Sequence, residues 1–327
     1  MLDSIYHSID PVIFSWGPIS VRWYGVAYVL GFLCAALVLW RTAKRWRIRI
    51  DTDAVLTIMF CVIVGIIVGG RAGYVIFYGD GYYLENPLEI FAFNKGGMSF
   101  HGGLIGALLA GIVAAKLTHI PYLTLADLGC IGAPIGLFFG RCANFINGEL
   151  WGAVTDLPWG VVFGGSAGTA PRHPSQLYEA FLEGVVLFIV LYALSRKQPP
   201  RARGTHFGVF LVLYGVFRFA IEFVRQPDAQ LGYLWGGWLT MGQVLSAPLM
   251  VVGACVLVFA CRRHLPQCGL EEFAAATAGE GAVASGEISA DTTLGAFTQD
   301  AIAESAQDDI AESAQDDIAA IPQNEED

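Results

Sequence analysis

Charged side chains are scarce in this chain, and their scarcity excludes an ordinary soluble domain. Asp, Glu, Lys and Arg make up 15% of the 327 residues, whereas 55% of the residues are hydrophobic. The mean hydropathy of +0.54 is typical of an integral membrane protein. Most of the chain is therefore predicted to lie in a lipid bilayer.

Paired cysteines and histidine clusters are missing as well. The seven cysteines lie in or beside apolar stretches without the spacing of zinc or redox motifs, and the six histidines lie far apart. The pattern therefore argues against a metal centre. Cys142 is the one candidate thiol nucleophile, because the adjacent Arg141 would favour a thiolate, but a small core residue is the alternative.

Seven stretches have the length and apolarity of a membrane-spanning helix, about 20 residues. They lie near residues 19–40, 54–79, 98–116, 125–145, 176–195, 205–224 and 239–261. No Lys or Arg precedes Arg22 and no small-residue cleavage site follows the first stretch, so we expect a retained helix rather than a signal peptide. The predicted fold is an all-α integral membrane protein, a bundle of seven transmembrane helices.

Basic residues predict the orientation of this bundle, because Lys and Arg accumulate in cytoplasmic loops. They follow the first, third, fifth and seventh stretches, at Arg41, Lys44, Arg45, Arg47, Arg49, Lys116, Arg196, Lys197, Arg201, Arg203, Arg262 and Arg263. The opposite loops carry Lys95, Arg172 and Arg225. The N-terminus is therefore predicted to lie outside and the C-terminus in the cytoplasm.

Residues 269–327 contain fifteen acidic side chains and no Lys or Arg. An eight-residue repeat, QDAIAESA, QDDIAESA and QDDIAAIP, begins at residue 299. Such a polar segment cannot build a core. We predict a membrane catalytic domain at 1–265 and a disordered cytoplasmic tail at 266–327, with a weak helix or a docking role for the tail as alternatives.

Polar residues within the apolar stretches fall on the predicted outer side. A charge at membrane depth costs roughly 2.5 to 3.5 kcal/mol on insertion scales, so it normally faces a polar pocket. These residues are Tyr24, Arg71, His101, Arg141, Asn144, Glu179, Tyr214, Arg218 and Glu222. They predict a common cavity near the outer leaflet.

Other interpretations of these patterns remain open. Arg218 and Glu222, four residues apart, can be a structural ion pair, and the glycines of GIIVG, HGGLIG and GLFFG are typical of close helix packing. A lipid or small-anion transporter could also gather such residues. The motifs differ from stretch to stretch and cluster outward, which favours an enzyme.

Five motifs carry a resemblance to a known family. They are GGRAGYVIFY at 69, GGMSFHGGLIG at 96, GRCANFINGELWG at 140, RHPSQLYEA at 172 and YGVFRFAIEFVRQPD at 214. Together they resemble prolipoprotein diacylglyceryl transferases, over about residues 10–263. The resemblance implies a seven-helix enzyme of the bacterial inner membrane. Such an enzyme moves a diacylglyceryl group from phosphatidylglycerol to the lipobox cysteine of a preprolipoprotein, forming a thioether and releasing glycerol phosphate.

This reaction and the resemblance together predict the site. Arginine grips phosphate in a bidentate manner, which favours Arg141 and Arg218 as stabilisers of the leaving phosphate. His101 is the expected proton acceptor, with Glu149 or Glu222 as alternatives. The predicted catalytic residues are His101, Arg141, Arg218 and Glu222, and the predicted substrate-binding residues are Tyr24, Arg71, Gly102, Asn144, Glu149, Gly152 and Tyr214.

The resemblance also predicts partners and location. The acceptor sulfur belongs to the substrate, so direct displacement needs no metal or organic cofactor, and it gives Cys142 no covalent role. Expected partners are phosphatidylglycerol, the preprolipoprotein lipobox and membrane lipid, without nucleic acid. The protein is expected to be a multi-pass protein of the bacterial inner (cytoplasmic) membrane, with its active site toward the outer leaflet.

Overall fold

The computed structural model describes residues 2–17, 19–79, 81–92, 96–227 and 232–267, apart from the side chains of Ile19, Phe100 and His101. Most of these residues are helical. The helices are α1 (Leu2–His7), α2 (Trp23–Arg45), α3 (Thr52–Tyr78), α4 (Tyr82–Glu85), α5 (Phe100–Thr118), α6 (Tyr122–Asn147), α7 (Ser175–Glu179), α8 (Leu187–Ser195), α9 (Thr205–Ile221) and α10 (Met241–Arg263). A π-helix, Ala180–Val186, joins α7 to α8 and makes one continuous α7–α8 helix. Short 3-10 helices span Pro87–Phe91 and Gly165–Ala167.

Five helices are long and apolar enough to cross a membrane. They are α2, α3, α6, the α7–α8 helix (Ser175–Ser195) and α10. Two further apolar helices are shorter, Gly102–Thr118 within α5 and Thr205–Ile221, which is α9. Each of the seven predicted apolar stretches thus contains a helix. The prediction of a mostly helical, multi-pass membrane protein is confirmed, while the count of seven spans stays a prediction.

A β-hairpin precedes α2 and corrects the predicted start of the first helix. Strand β1 (Val12–Trp16) pairs antiparallel with β2 (Ile19–Arg22), so α2 begins at residue 23 and not at 19. Both strands are rich in β-branched and aromatic residues, which favour extended backbone. Gly17 lies in the turn with a φ of +58°, a conformation that glycine adopts without strain. Hydropathy alone does not distinguish such a strand from the start of a helix.

Helices α3 and α5 pack antiparallel along a seam of small residues. A Cβ added to Gly65 would lie 2.5 Å from the Ala110 Cβ, and one added to Gly73 would lie 2.8 Å from the Gly102 Cα. Gly106 lies between these two contacts, against Gly65 and Gly69. The two backbones therefore touch, as in small-residue packing of membrane helices.

Helices α2 and α6 also run antiparallel, and their register places the start of α2 beside the end of α6. A Cβ on Gly31 would lie 3.1 Å from the Gly136 Cα, and one on Gly132 would lie 3.1 Å from the Ala35 Cα. Continuing this register brings Tyr24 toward the last turns of α6. Those turns contain Arg141 and Asn144.

The opposite end of the bundle is joined by a buried carboxylate. Asp127 Oδ1 accepts a hydrogen bond of 2.8 Å from the Phe207 amide, and Oδ2 accepts bonds of 2.8 Å from the Gly204 amide and from Gln267 Nε2. A negative group at the start of α9 satisfies amides that have no partner within the helix. Gln267 is thereby tied to the bundle, although the predicted boundary at 265 placed it in the tail. The predicted tail beyond Gln267 lies outside the described residues.

The hydrophobic core lies at this same end. Trp46 is 1% exposed, packs on the ring of His206 and donates a 2.9 Å hydrogen bond to the Ser195 carbonyl. A smaller apolar cluster forms at the end of α6, where Phe145 and Phe163 pack against Tyr6 of α1. The polar side chains near the end of α6, Arg141 and Asn144, lie along the helix between residues of these two clusters.

Replacing Gly106 by Ala tests the α3–α5 seam. The new Cβ would contact the Gly65 carbonyl oxygen and would lie 3.0 Å from the Gly69 Cα. Overpacking of this kind costs about 1 to 3 kcal/mol. We expect the melting temperature in detergent to fall. Gly129→Ala is the control, since a Cβ there meets nothing within 4 Å. Equal melting temperatures for the two variants would contradict this packing.

Candidate active site

Three arginines and three glutamates meet where the end of α6, the α7–α8 helix, the end of α9 and the start of α10 converge. This arginine–glutamate cluster consists of Arg141, Glu179, Glu183, Arg218, Glu222 and Arg225. With all six groups ionised, the cluster has no net charge. The carboxylates are buried to 5% exposure or less, whereas the side chains of Arg141 and Arg218 are 14% and 16% exposed. The arginines therefore form the accessible side of the cluster.

Glu179 lies at the centre of the cluster. Its Oε2 is 2.7 Å from Arg141 Nε, while its Oε1 is 3.2 Å from Arg218 Nη1 and 3.4 Å from Arg225 Nη1. One carboxylate thus contacts guanidinium groups that come from α6, from α9 and from the segment after α9.

Glu183 approaches Arg141 from the π-helix. Its Oε2 lies 3.4 Å from Arg141 Nη2. The next residue, Gly184, lets this helix press on α6, since a Cβ there would lie 2.9 Å from the Phe138 Cα. A π segment shifts the faces of a helix and occurs often at functional sites. Here it begins directly after Glu179 and contains Glu183, so both carboxylates that contact Arg141 lie in or beside it.

Glu222 is held between the end of α9 and the start of α10. Its Oε1 lies 2.6 Å from Arg218 Nη2, and its Oε2 accepts a 2.5 Å hydrogen bond from the Thr240 hydroxyl. A Cβ on Gly242 would lie 2.5 Å from the same Oε1, so glycine makes room for the carboxylate. The predicted pair of Arg218 and Glu222 is therefore present, and α10 completes it.

The ion pairs of the cluster leave hydrogen-bonding capacity unused. Arg141 Nε, Arg218 Nη1 and Glu183 Oε1 are buried and have no well-aligned hydrogen-bond partner among the described residues, although opposite charges lie close. An unsatisfied buried donor is costly, on the order of 1 to 3 kcal/mol.

Three other predicted site residues lie beside the cluster. Asn144 is buried and follows Arg141 by one helical turn. Tyr214 is within electrostatic range of Arg141 and Arg218. The Tyr24 hydroxyl lies 3.2 Å from the Tyr28 hydroxyl and is within electrostatic range of Arg141. The structure thus brings together residues from three helices, α2, α6 and α9, that the sequence predicts to lie on one side of the membrane.

Glu149 and Gly152 lie in the segment that follows α6. The Glu149 side chain accepts from Asn147 Nδ2 at 3.4 Å and the residue is exposed. Gly152 donates to the His173 carbonyl at 2.9 Å, and a Cβ there would lie 2.6 Å from the Val224 carbonyl oxygen. Close backbone approach therefore explains this glycine. The close contact holds together the backbone segments that lead to Glu179 and to Arg225. Contact of Gly152 with substrate stays a prediction.

Arg71 anchors the segment that precedes α5. It is 4% exposed and donates to the carbonyl groups of Glu89, Ile90, Gly96 and Gly97 at 2.5 to 3.0 Å. These bonds hold the backbone that leads to His101. A direct contact of Arg71 with substrate stays a prediction.

His101 is the second residue of α5, and its side chain lies outside the described residues. Ser99 caps this helix by accepting a 3.2 Å hydrogen bond from the Gly102 amide. Gly102 packs against Gly69 and Gly73 in the α3–α5 seam. The predicted base role of His101 and the predicted substrate contact of Gly102 both stay predictions.

Two members of the cluster were missed by sequence reasoning. Glu183 is not among the predicted cavity residues, and Arg225 is predicted to be a cation of an outer loop. A spacing signal existed for each: Glu183 follows Glu179 by four residues, and Arg225 follows Glu222 by three. Residues at such spacings share one face of a helix.

Comparison with known proteins agrees with the family resemblance of the five sequence motifs. A family model described as "Prolipoprotein diacylglyceryl transferase" matches residues 11–259. The chain is 50% identical over 257 residues to a protein of Geobacter sulfurreducens, covering 79% of this chain and 97% of that relative. It is 49% identical over 260 residues to a protein of Methylococcus capsulatus, covering 79% and 98%. Both relatives are named phosphatidylglycerol–prolipoprotein diacylglyceryl transferase. This chain belongs to the prolipoprotein diacylglyceryl transferase family.

Proposed function

We propose that this protein transfers the diacylglyceryl group of phosphatidylglycerol to the lipobox cysteine of a preprolipoprotein. A carbon–sulfur bond forms at the glyceryl carbon and the carbon–oxygen bond to phosphate breaks. The thiol proton passes to a base, and glycerol phosphate leaves. The observation that carries this proposal is the accessible pair Arg141 and Arg218, which share the buried carboxylate of Glu179. The names of the relatives supply the substrates.

The chemistry explains why two arginines are needed. Phosphatidylglycerol carries one negative charge on its phosphodiester, and the departing oxygen develops a second. Donors fixed in advance around such a charge stabilise the transition state more than the bound substrate. Arg141 and Arg218 are held in advance by buried carboxylates, so they need little reorganisation when the phosphate leaves.

The proton acceptor that we propose is His101. Glu222 is already engaged by Arg218 and by the Thr240 hydroxyl, which makes it a poor base. Glu149 is exposed and remains the alternative. An imidazole with an ordinary pKa near 6.5 is largely neutral at pH 7 and can accept the thiol proton.

The proposed topology has seven spans, which include the short helices α5 and α9. The N-terminus lies outside and the C-terminus in the cytoplasm of a bacterium, with the protein in its inner membrane. Two features support this orientation. Basic residues such as Arg45 and Arg263 end α2 and α10, and the arginine–glutamate cluster lies at the opposite ends of these helices. The cluster would then face the outer leaflet, where a lipobox can reach it.

A transporter of lipids or small anions is the competing function, and product release separates the two. An enzyme liberates glycerol phosphate in detergent micelles, where no second compartment exists. We therefore expect purified protein, given phosphatidylglycerol and a lipobox peptide, to release glycerol phosphate only when the peptide is present. No release from folded protein under several lipid conditions would favour the transporter.

Replacing either arginine should nearly abolish this release. Loss of one fixed charge donor typically costs on the order of 10² to 10³ in rate. We expect losses of this size for Arg141→Ala and Arg218→Ala in the same assay. Arg141→Lys should recover little, because lysine lacks the bidentate fork. Arg262→Ala, at the exposed far end of α10, is the control and should retain activity. Wild-type rates in Arg141→Ala would contradict the assignment.

Truncation tests the acidic tail, and the structure decides where to cut. A chain that ends at Gln267 keeps the 2.8 Å bond to Asp127 and should retain both activity and melting temperature. A chain that ends at Arg263 loses this bond. We expect the second chain to melt at a lower temperature, because a buried carboxylate loses a donor. Activity lost on cutting after Gln267 would show that the tail takes part in the reaction.

A further inference from the structure

We propose that Glu179 is a positioning residue, which sets the separation and orientation of Arg141 and Arg218 for departure of the phosphate. This inference rests on the proposed function. Glu179 is 0% exposed and lies behind the two arginines, so it acts through them and not on the substrate.

The geometry gives Glu179 this role because its two oxygens face different helices. Oε2 lies 2.7 Å from Arg141 Nε, on α6, and Oε1 lies 3.2 Å from Arg218 Nη1, on α9. The carboxyl group is planar and rigid. One side chain therefore fixes the distance between two guanidinium groups that belong to helices far apart in sequence.

Each arginine also has a carboxylate partner of its own. Glu183 contacts Arg141 at 3.4 Å, and Glu222 contacts Arg218 at 2.6 Å. Removing the Glu179 carboxylate therefore leaves both arginines charged and partly held. What is lost is the link between the two, together with the charge that offsets their mutual repulsion.

Loss of the Glu179 carboxylate should slow the chemical step more than it weakens binding of phosphatidylglycerol. A phosphodiester with one negative charge can bind to either arginine. The departing phosphate, with its second charge, needs both at fixed positions. An interaction made mainly in the transition state lowers kcat when it is removed, whereas KM changes little. Misplacement by about 1 Å can cost on the order of 10²-fold in rate.

The test compares Glu179→Gln with Glu183→Gln in the glycerol phosphate assay, with phosphatidylglycerol and a lipobox peptide as substrates. Both variants remove one buried negative charge from the same helix. For Glu179→Gln we expect kcat to fall by about 10²-fold, with KM for phosphatidylglycerol within about threefold. For Glu183→Gln we expect a decrease below about tenfold, since this carboxylate makes one long contact of 3.4 Å, to Arg141 alone, and does not join the two arginines. Equal kcat values for the two variants would overturn the proposal.

A second variant covers the case in which Glu179→Gln fails to fold. Glu179→Asp keeps the charge, but its shorter side chain cannot reach both arginines. It should elute as a folded protein and yet show a reduced kcat. A wild-type kcat for Glu179→Asp would overturn the proposal.

A double-mutant cycle then asks whether Glu179 acts through Arg218. If it does, adding Glu179→Asp to Arg218→Lys should cost much less than Glu179→Asp costs alone. Fully additive effects would overturn the positioning role. An inactive wild type would instead refute the proposed function, so the two failures are distinguishable.

Discussion

Neutralisation of buried arginines is the constraint on which this site depends. Arg141, Arg218 and Arg225 come from α6, from α9 and from the segment after α9, and their side chains are mostly buried. A charge left unpaired in such a place costs several kcal/mol. Glu179, Glu183 and Glu222 supply three opposite charges from neighbouring elements. The helices must therefore meet at these residues, and their meeting point becomes a site with cationic donors on its accessible side.

Two other features keep the helices where this neutralisation requires them. Small residues let backbones touch, as Gly65 does against Ala110 and Gly184 does against Phe138. At the far end of the bundle, Asp127 joins the start of α9 to α6 and to Gln267. A helix fixed at both ends can hold its arginine at one position. The ion pairs of the cluster and the close helix contacts thus both keep the arginines at fixed positions.

Much of this arrangement could be predicted from the sequence, because apolar length, basic loops and helical spacing act locally. They indicated the helices and placed Arg141, Arg218 and Glu222 on one side. What they missed depends on contacts between distant segments or on backbone detail. The π-helix that positions Glu183 has no simple hydropathy signal, and the packing that explains Gly152 involves carbonyl groups about 20 to 70 residues away. The roles of these residues follow from the family resemblance, since hydropathy and spacing alone predict a common polar cavity near the outer leaflet without its substrate.

The most direct test of this account is an experimental structure of the protein with phosphatidylglycerol bound in a lipid nanodisc. The account predicts phosphate oxygens within hydrogen-bond distance of both Arg141 and Arg218, about 2.7 to 3.2 Å from their nitrogens. The carboxylate of Glu179 should remain between the two guanidinium groups. A phosphate bound elsewhere, for example beside the basic residues at the end of α2, would contradict the central claim that this buried neutral cluster exists to bind the departing phosphate.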